Sequence, residues 1–147
     1  MRRLRRWALV AAAAGLGTAT GYAVDASADP HGALGPGVVR VEIGIEHSRF
    51  SVGRLRVVEG TLLELVVRND DPIAHELVVG PPSVQRAHED GAEQRHPPVP
   101  GEVSVAPGER GFTFATFDEP GVVAYACHLP GHVAYGMAGE IEVVAAP

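Results

Sequence analysis

Four side chains of this 147-residue chain could jointly hold a soft metal ion: the thiol of Cys127, the imidazoles of His132 and His75, and the thioether of Met137. Three of them fall in one stretch, Tyr125 to Met137 (YACHLPGHVAYGM), where His132 lies five residues after Cys127 and Met137 five after His132. His75 sits apart, between Asp70-Asp71-Pro72 and the apolar run that begins at Glu76. Three ligands from one tight loop converge only if the loop turns sharply and returns, which Pro130-Gly131 and Gly136 permit. The fourth must then come from a separate strand, so a prefolded scaffold holds the site. Sulfur ligands combined with imidazole select copper over hard cations, and His₂Cys in a near-trigonal plane with a weak axial Met is a copper geometry. Zinc is the chief rival, but a structural zinc site uses more Cys or His and no Met.

Taken one at a time, these residues have bland roles. His75 alone reads as a surface or hydrogen-bonded histidine, Met137 as core filler, and Cys127 as a small buried hydrophobe. Together the bland roles fail, because the chain's only Cys and its only Met beyond the initiator both fall in the same stretch. A lone cysteine forms no intramolecular disulfide, and in an oxidising compartment a free thiol is a liability unless something protects or uses it. Metal ligation does both. His88, Glu89, Asp90 and His96, together with His128, form a candidate second metal site or copper-capture loop, although two histidines in a polar loop are more often merely solvated.

The elements that must position these residues are strands. Aromatics are sparse at 5% while Gly (18) and Pro (12) are plentiful, a mixture that favours short strands joined by turns. Val38 to His47 alternates, with Val39, Val41, Ile43 and Ile45 on one face. Leu55–Val58 and Thr61–Arg68 flank a Glu59-Gly60 turn, and Glu76–Val79 follows, stopped by Gly80-Pro81-Pro82. Residues 83–101 lack strand periodicity and predict a loop with one short helix around Val84 to Glu93. Glu102–Val105, Gly111–Phe117, Gly121–Cys127 and Gly139–Val144 complete the pattern, with turns at Pro107-Gly108 and Glu119-Pro120-Gly121. The expected fold is all-β, a Greek-key β-sandwich of seven to eight strands, with a small closed barrel as the alternative.

Residues 1–28 read as an address. Met1 to Arg6 is basic, Trp7 to Val24 carries no charge, and Ala26-Ser27-Ala28 offers a small-x-small cleavage pattern. A cleaved signal peptide is the first reading and a retained N-terminal membrane anchor the second, since eighteen uncharged residues are just long enough to span a bilayer. Either way the domain is expected outside the cytoplasm: in the periplasm, on the outer face of the membrane, or secreted. Residues 29–37 read as a Gly/Pro linker and 38–147 as the folded domain. Beyond residue 28 the chain holds 8 basic and 17 acidic residues, a net charge of −9. Phosphate contacts need clustered cations, so nucleic-acid binding is excluded.

The Cys127–Met137 stretch resembles the copper loop of the cupredoxin family, the type 1 blue copper proteins such as plastocyanin, azurin and rusticyanin. Its Cys-x4-His-x4-Met spacing is most similar to longer-loop members such as rusticyanin. Arg54 to Val79, ordered as strand, Glu-Gly turn, strand, Asn, then His, is similar to the family segment that bears the first His ligand. The likeness covers about residues 38–144. It implies one type 1 copper ion cycling between Cu(I) and Cu(II), with His75, Cys127 and His132 equatorial and Met137 axial, near one end of an eight-stranded sandwich. It also implies a non-enzymatic electron carrier, expected as a monomer, that docks redox partner proteins of the cell envelope. An apolar collar around His132, made of Leu129, Pro130, Val133, Ala134 and Tyr135 with Pro72, Ile73 and Ala74, would serve that docking. Copper buffering or delivery without redox turnover is the alternative. Two positions depart from the family. Glu76 stands where plastocyanin and azurin place an Asn that ties the two ligand loops together, and His128 follows Cys127. Multicopper oxidases flank this Cys with His on both sides, whereas here Ala126 precedes it, which argues against oxidase or nitrite reductase activity.

Overall fold

Apolar residues at alternate positions give Val38–Glu46 one buried face, with Val41, Ile43 and Ile45 fully enclosed while Arg40, Glu42 and Glu46 face outward. The computed structural model describes residues 23–24, 32–91 and 99–146. Along the chain the elements are β1 (Ala23–Val24), β2 (Val38–Glu46), β3 (Arg49–Phe50), β4 (Arg54–Val58), β5 (Leu62–Asn69), β6 (His75–Gly80), α1 (Pro82–Glu89), β7 (Glu102–Val105), β8 (Arg110–Thr116), β9 (Gly121–Ala126) and β10 (Ala138–Val144). Eight of these strands have four residues or more. The expected sandwich is therefore present, with the two-residue β1 and β3 added.

One sheet runs β1-β2-β5-β8, with β3 paired to β2, and the other runs β4-β10-β9-β6-β7. The chain repeatedly crosses between them, so β2 lies parallel to β5 and β4 parallel to β10. Between the sheets lie Ile43, Leu63, Leu65, Leu77, Tyr125 and Ile141, each fully buried. Burying an aliphatic side chain of this size contributes about 1.5–3 kcal/mol. This core makes the sandwich stiff enough to present a fixed site at one end.

Three local differences from the sequence reading have physical causes. Strand β2 stops at Glu46, one residue short of the expected His47, because His47 and Ser48 both take a left-handed φ of 53°, which turns the chain into β3. The helix spans Pro82–Glu89 and not Val84–Glu93; Pro82 suits its first turn, and Gly91 at φ 74° ends it. Leu34, inside the segment read as linker, is docked: its N–H donates to the Arg56 carbonyl at 2.8 Å, and its carbonyl accepts the Val58 N–H at 2.9 Å. The proposed leader (1–28) lies outside the described residues except for Ala23–Val24, which pair with Arg40–Val41.

Every residue of β6 is buried, which a half-exposed strand would not show. Helix α1 packs on its outer side, and the Gln85 side-chain amide donates to the carbonyls of Val78, Gly80 and Ala124 at 3.1–3.2 Å. Gly80 allows this close approach, since a Cβ there would lie 2.9 Å from Val84.

Candidate metal centre

Antiparallel pairing of β6 with β9 places Val78 opposite Ala126 and Val79 opposite Tyr125. The start of β6 and the end of β9 therefore meet at the same edge of the sandwich, carrying His75 and Cys127. Alternation puts His75 on the inward face with Leu77 and Val79, and Cys127 on the inward face with Tyr125. Both are fully enclosed: His75 is 1% exposed and Cys127 0%.

The loop after Cys127 returns as the sequence requires. Gly131 and Gly136 adopt φ of 86° and 87°, which only glycine takes without strain. The His132 N–H donates to the Leu129 carbonyl at 3.0 Å, the Met137 N–H to the His132 carbonyl at 3.0 Å, and the Cys127 N–H to the Met137 carbonyl at 3.1 Å. These bonds close the loop on itself and put Met137, fully buried in the core, backbone to backbone with Cys127.

One ligand atom from each of His75, Cys127 and His132 lies within 4.8 Å of the other two, and this is the one such three-residue cluster among the described residues. The Cys127 Sγ is 3.2 Å from His132 Nδ1, and the His75 and His132 ring centroids are 4.9 Å apart. His75 Nε2 lies 2.9 Å from Asp71 Oδ2, while its Nδ1 is buried with no hydrogen-bond partner. An enclosed imidazole nitrogen left unsatisfied beside a thiol is what a metal would complete. Burial pushes the Cys127 thiol up, opposed by the backbone N–H groups of Glu76 and Leu129 directed at the sulfur and reinforced by the Glu76 charge. Burial also lowers His132, and the neighbouring His75 adds to that shift. A neutral imidazole and a thiol that ionises on metallation form a competent donor set.

Around these groups lies a second layer that the sequence reading did not find. Burial would raise the Asp71 carboxyl, but N–H donors from Ser48 and His47, each at 2.6 Å, together with His75, hold it below its ordinary value. Asn69 fixes this loop, accepting the Asp71 N–H and donating to the Ile73, Val105 and Ala106 carbonyls. Glu76, the departure from the family's Asn, ties the ligand segments after all: its Oε1 accepts the His128 N–H at 2.8 Å. The one signal available beforehand was the four-residue spacing from Asp71 to His75.

The candidate second site does not assemble as expected. His88 is buried and lies 3.3 Å from Glu102, and His128 Nε2 donates to Gln85 Oε1 at 2.7 Å. The two rings approach to 5.9 Å, but Glu89 and Asp90 face solvent and His96 lies outside the described residues. Of the residues expected to form the collar, Pro72, Ile73, Ala74, Pro130, Val133, Ala134 and Tyr135 are exposed and His132 is half-buried, while Leu129 packs toward the core.

The family model for copper binding proteins of the plastocyanin/azurin family matches residues 37–144. The chain belongs to that family. This cupredoxin is 34% identical over 100 residues to the copper-resistant cuproprotein CopI of Rubrivivax gelatinosus, covering 65% of this chain and 59% of that protein. It thus spans less than two thirds of the relative's length. Among solved structures it is similar to reduced auracyanin of Roseiflexus castenholzii, with a TM-score of 0.62 at 22% identity, covering 77% of this chain and 99% of that one. It is also similar to copper nitrite reductase of Nitrosomonas europaea, with a TM-score of 0.56 at 24% identity, covering 74% and 42%. Both likenesses speak to fold, and one of them is to an enzyme. Copper is the cofactor of this cupredoxin, and His75, Cys127 and His132 are positioned as a type 1 copper site.

Proposed function

We propose that this cupredoxin carries electrons in the cell envelope through one type 1 copper ion, which His75, Cys127, His132 and Met137 would hold. The observation that carries this reading is the meeting of three donors within 4.8 Å on a floor already closed by backbone hydrogen bonds. Copper in such a site supplies a one-electron couple tuned by its axial ligand and by the hydrogen bonding around the sulfur. The chain does the rest. Strands β6 and β9 fix His75 and Cys127, the 127–137 loop returns His132 and Met137, and Glu76 and Leu129 offer N–H groups to the sulfur. Held in this way, the four side chains would offer bound copper one fixed arrangement, which is what a low barrier to electron transfer asks for.

The exposed collar around His132 supplies an apolar face for brief docking of a redox partner protein, and the net charge of −9 beyond residue 28 favours a basic one. A non-enzymatic role fits Ala126 preceding Cys127. Residues 1–28 act as an export signal or anchor, residues 38–147 are the folded domain, and the working form is an extracytoplasmic monomer.

A second reading, copper buffering or delivery without redox turnover, is favoured by the 34% identity to a copper-resistance protein. Visible absorption and paramagnetic resonance after one equivalent of cupric ion test the site. An intense blue band with narrow copper hyperfine splitting, lost in Cys127→Ser, is expected. A pale spectrum indifferent to that substitution overturns the ligand assignment. Voltammetry separates the two readings: a carrier cycles with its copper retained, and a donor loses the ion to a competing acceptor.

A further inference from the structure

We propose that Asp71 is a positioning residue that fixes the tautomer of His75 and thereby biases the copper centre toward its cupric state. The inference rests on the ligand assignment made above and concerns a residue outside that ligand set. Asp71 is 8% exposed, and both its oxygens are already committed as acceptors: Oδ1 to the His47 N–H and Oδ2 to the Ser48 N–H, each at 2.6 Å. A backbone amide can only donate, so the carboxyl group faces His75 as an acceptor as well. His75 must then place its proton on Nε2, 2.9 Å from Asp71 Oδ2. That leaves the Nδ1 lone pair free, and Nδ1 is the buried atom without a partner in the space it shares with Cys127 and His132.

Two consequences follow from this chain of bonds. First, the imidazole has its ligating nitrogen selected before the metal arrives, so no tautomer exchange or ring rotation accompanies binding. Second, a carboxylate on the far nitrogen raises the basicity of the near one, which favours the more highly charged copper ion. The same carboxylate caps the left-handed His47–Ser48 turn between β2 and β3. That hairpin and the metal ligand are therefore held by a single group, itself held by the Asn69 side chain, which accepts the Asp71 N–H at 3.0 Å.

The test is Asp71→Asn in the full-length protein. The amide keeps one acceptor oxygen, turns its other end into a donor and carries no charge, so the three contacts cannot all be kept and the His75 Nε2–H no longer faces a carboxylate. Outer-shell substitutions of this kind lower metal affinity by about 10–100-fold. The cupric-to-cuprous affinity ratio is expected to fall at least about tenfold, which for a one-electron couple raises the reduction potential by about 59 mV. A second readout needs no variant. In the diamagnetic cuprous wild type, nitrogen-correlated proton resonance should show His75 protonated at Nε2, with that proton protected from exchange.

A potential in Asp71→Asn within threefold of wild type in affinity ratio, alongside a lower melting temperature of the copper-free protein, would leave Asp71 a turn anchor and overturn the proposal. A cuprous wild type with His75 protonated at Nδ1 overturns it regardless of how the variant folds. A wild type with no blue band overturns the ligand assignment and this proposal together, whereas a blue wild type with an unshifted variant overturns the proposal alone.

Discussion

Replacing Glu76 with alanine should loosen the link between the two ligand-bearing segments. The Glu76 side chain is nearly enclosed, at 8% exposure, and its Oε1 accepts the His128 N–H at 2.8 Å. That bond joins the second residue of β6, next to His75, to the residue that follows Cys127. Removing the acceptor leaves a part-buried backbone N–H without a partner, at a cost of about 1–3 kcal/mol. For a folded domain of about 110 residues, each kcal/mol lowers the melting temperature by about 4 °C, so a mid-range loss of about 2 kcal/mol corresponds to roughly 8 °C. Glu76→Gln separates the hydrogen bond from the charge, because the amide oxygen can still accept. The assay is far-ultraviolet circular dichroism melting of the copper-free protein at pH 7, with chelator-driven copper loss as a companion measurement. The expected order of stability is wild type close to Gln and well above Ala, with copper lost fastest from Ala. If all three melt together, Glu76 is not the tie that replaces the family's Asn, and the rigidity of the site must come from the loop's own bonds.

Other outcomes are fixed by the same geometry. Gly139→Ala drives a methyl group into the ring and hydroxyl of the fully buried Tyr125, whose hydroxyl donates to the Val52 carbonyl; overpacking of about 1–3 kcal/mol should appear as a lower urea midpoint. Met137→Leu nearly conserves core volume, so the copper-free protein should lose less than about 1.5 kcal/mol while the reduction potential and visible spectrum both change; an unchanged potential would return Met137 to the role of core filler. The Asp71 carboxyl is depressed in the folded state from an ordinary value of 3.8, so its contribution to stability is fully present above that pH and is lost as pH falls through the folded value. Acid unfolding of the copper-free protein should therefore steepen below about pH 4, with a shallower slope in Asp71→Asn. Burial holds the Cys127 thiol protonated above its ordinary 9.0, so cupric binding at pH 7 should release close to one proton from that group, measurable in a weakly buffered titration.

Much of this was legible in the sequence because it depends on period and on scarce residue types. Alternation in Val38–Glu46 specifies a strand whatever its partner, and the single Cys with its spaced His and Met marks the site without any tertiary knowledge. Gly131 and Gly136 also spoke for themselves, since a returning loop of this length needs left-handed turns. What stayed hidden depends on contacts between distant segments. The β2–β3 turn at His47–Ser48 uses left-handed non-glycine residues, stabilised by a carboxylate 23 and 24 positions away. Asp71 looked like part of a strand-ending Asn-Asp-Asp-Pro turn, which it is, and nothing local revealed that its oxygens would also reach His75. Glu76 marks a departure from the family's Asn by residue type, and residue type alone does not show what an acceptor faces. Around His88 spacing alone does not show orientation: the His88 and His128 rings approach each other, while Glu89 and Asp90 face solvent.

The burial of the site bears on which of the two functions the fold serves better. Cys127 and Met137 are fully enclosed, His75 nearly so, and His132 alone of the four stands part-way to solvent. An ion leaving by the shortest route must pass His132, and it must also leave Cys127 and Met137, whose backbones are joined to each other and to His132 by hydrogen bonds. Release therefore asks for local opening of the whole 127–137 loop, and each of its bonds contributes about 0.5–1.5 kcal/mol against that opening. The electron transfer proposed above asks for no such opening, because half-buried His132 stands part-way to solvent while both sulfur ligands stay enclosed. A fold meant to hand over its ion gains nothing from enclosing both sulfurs behind a closed loop. A fold meant to keep the ion and pass charge gains a rigid coordination sphere and a dry docking face from the same arrangement.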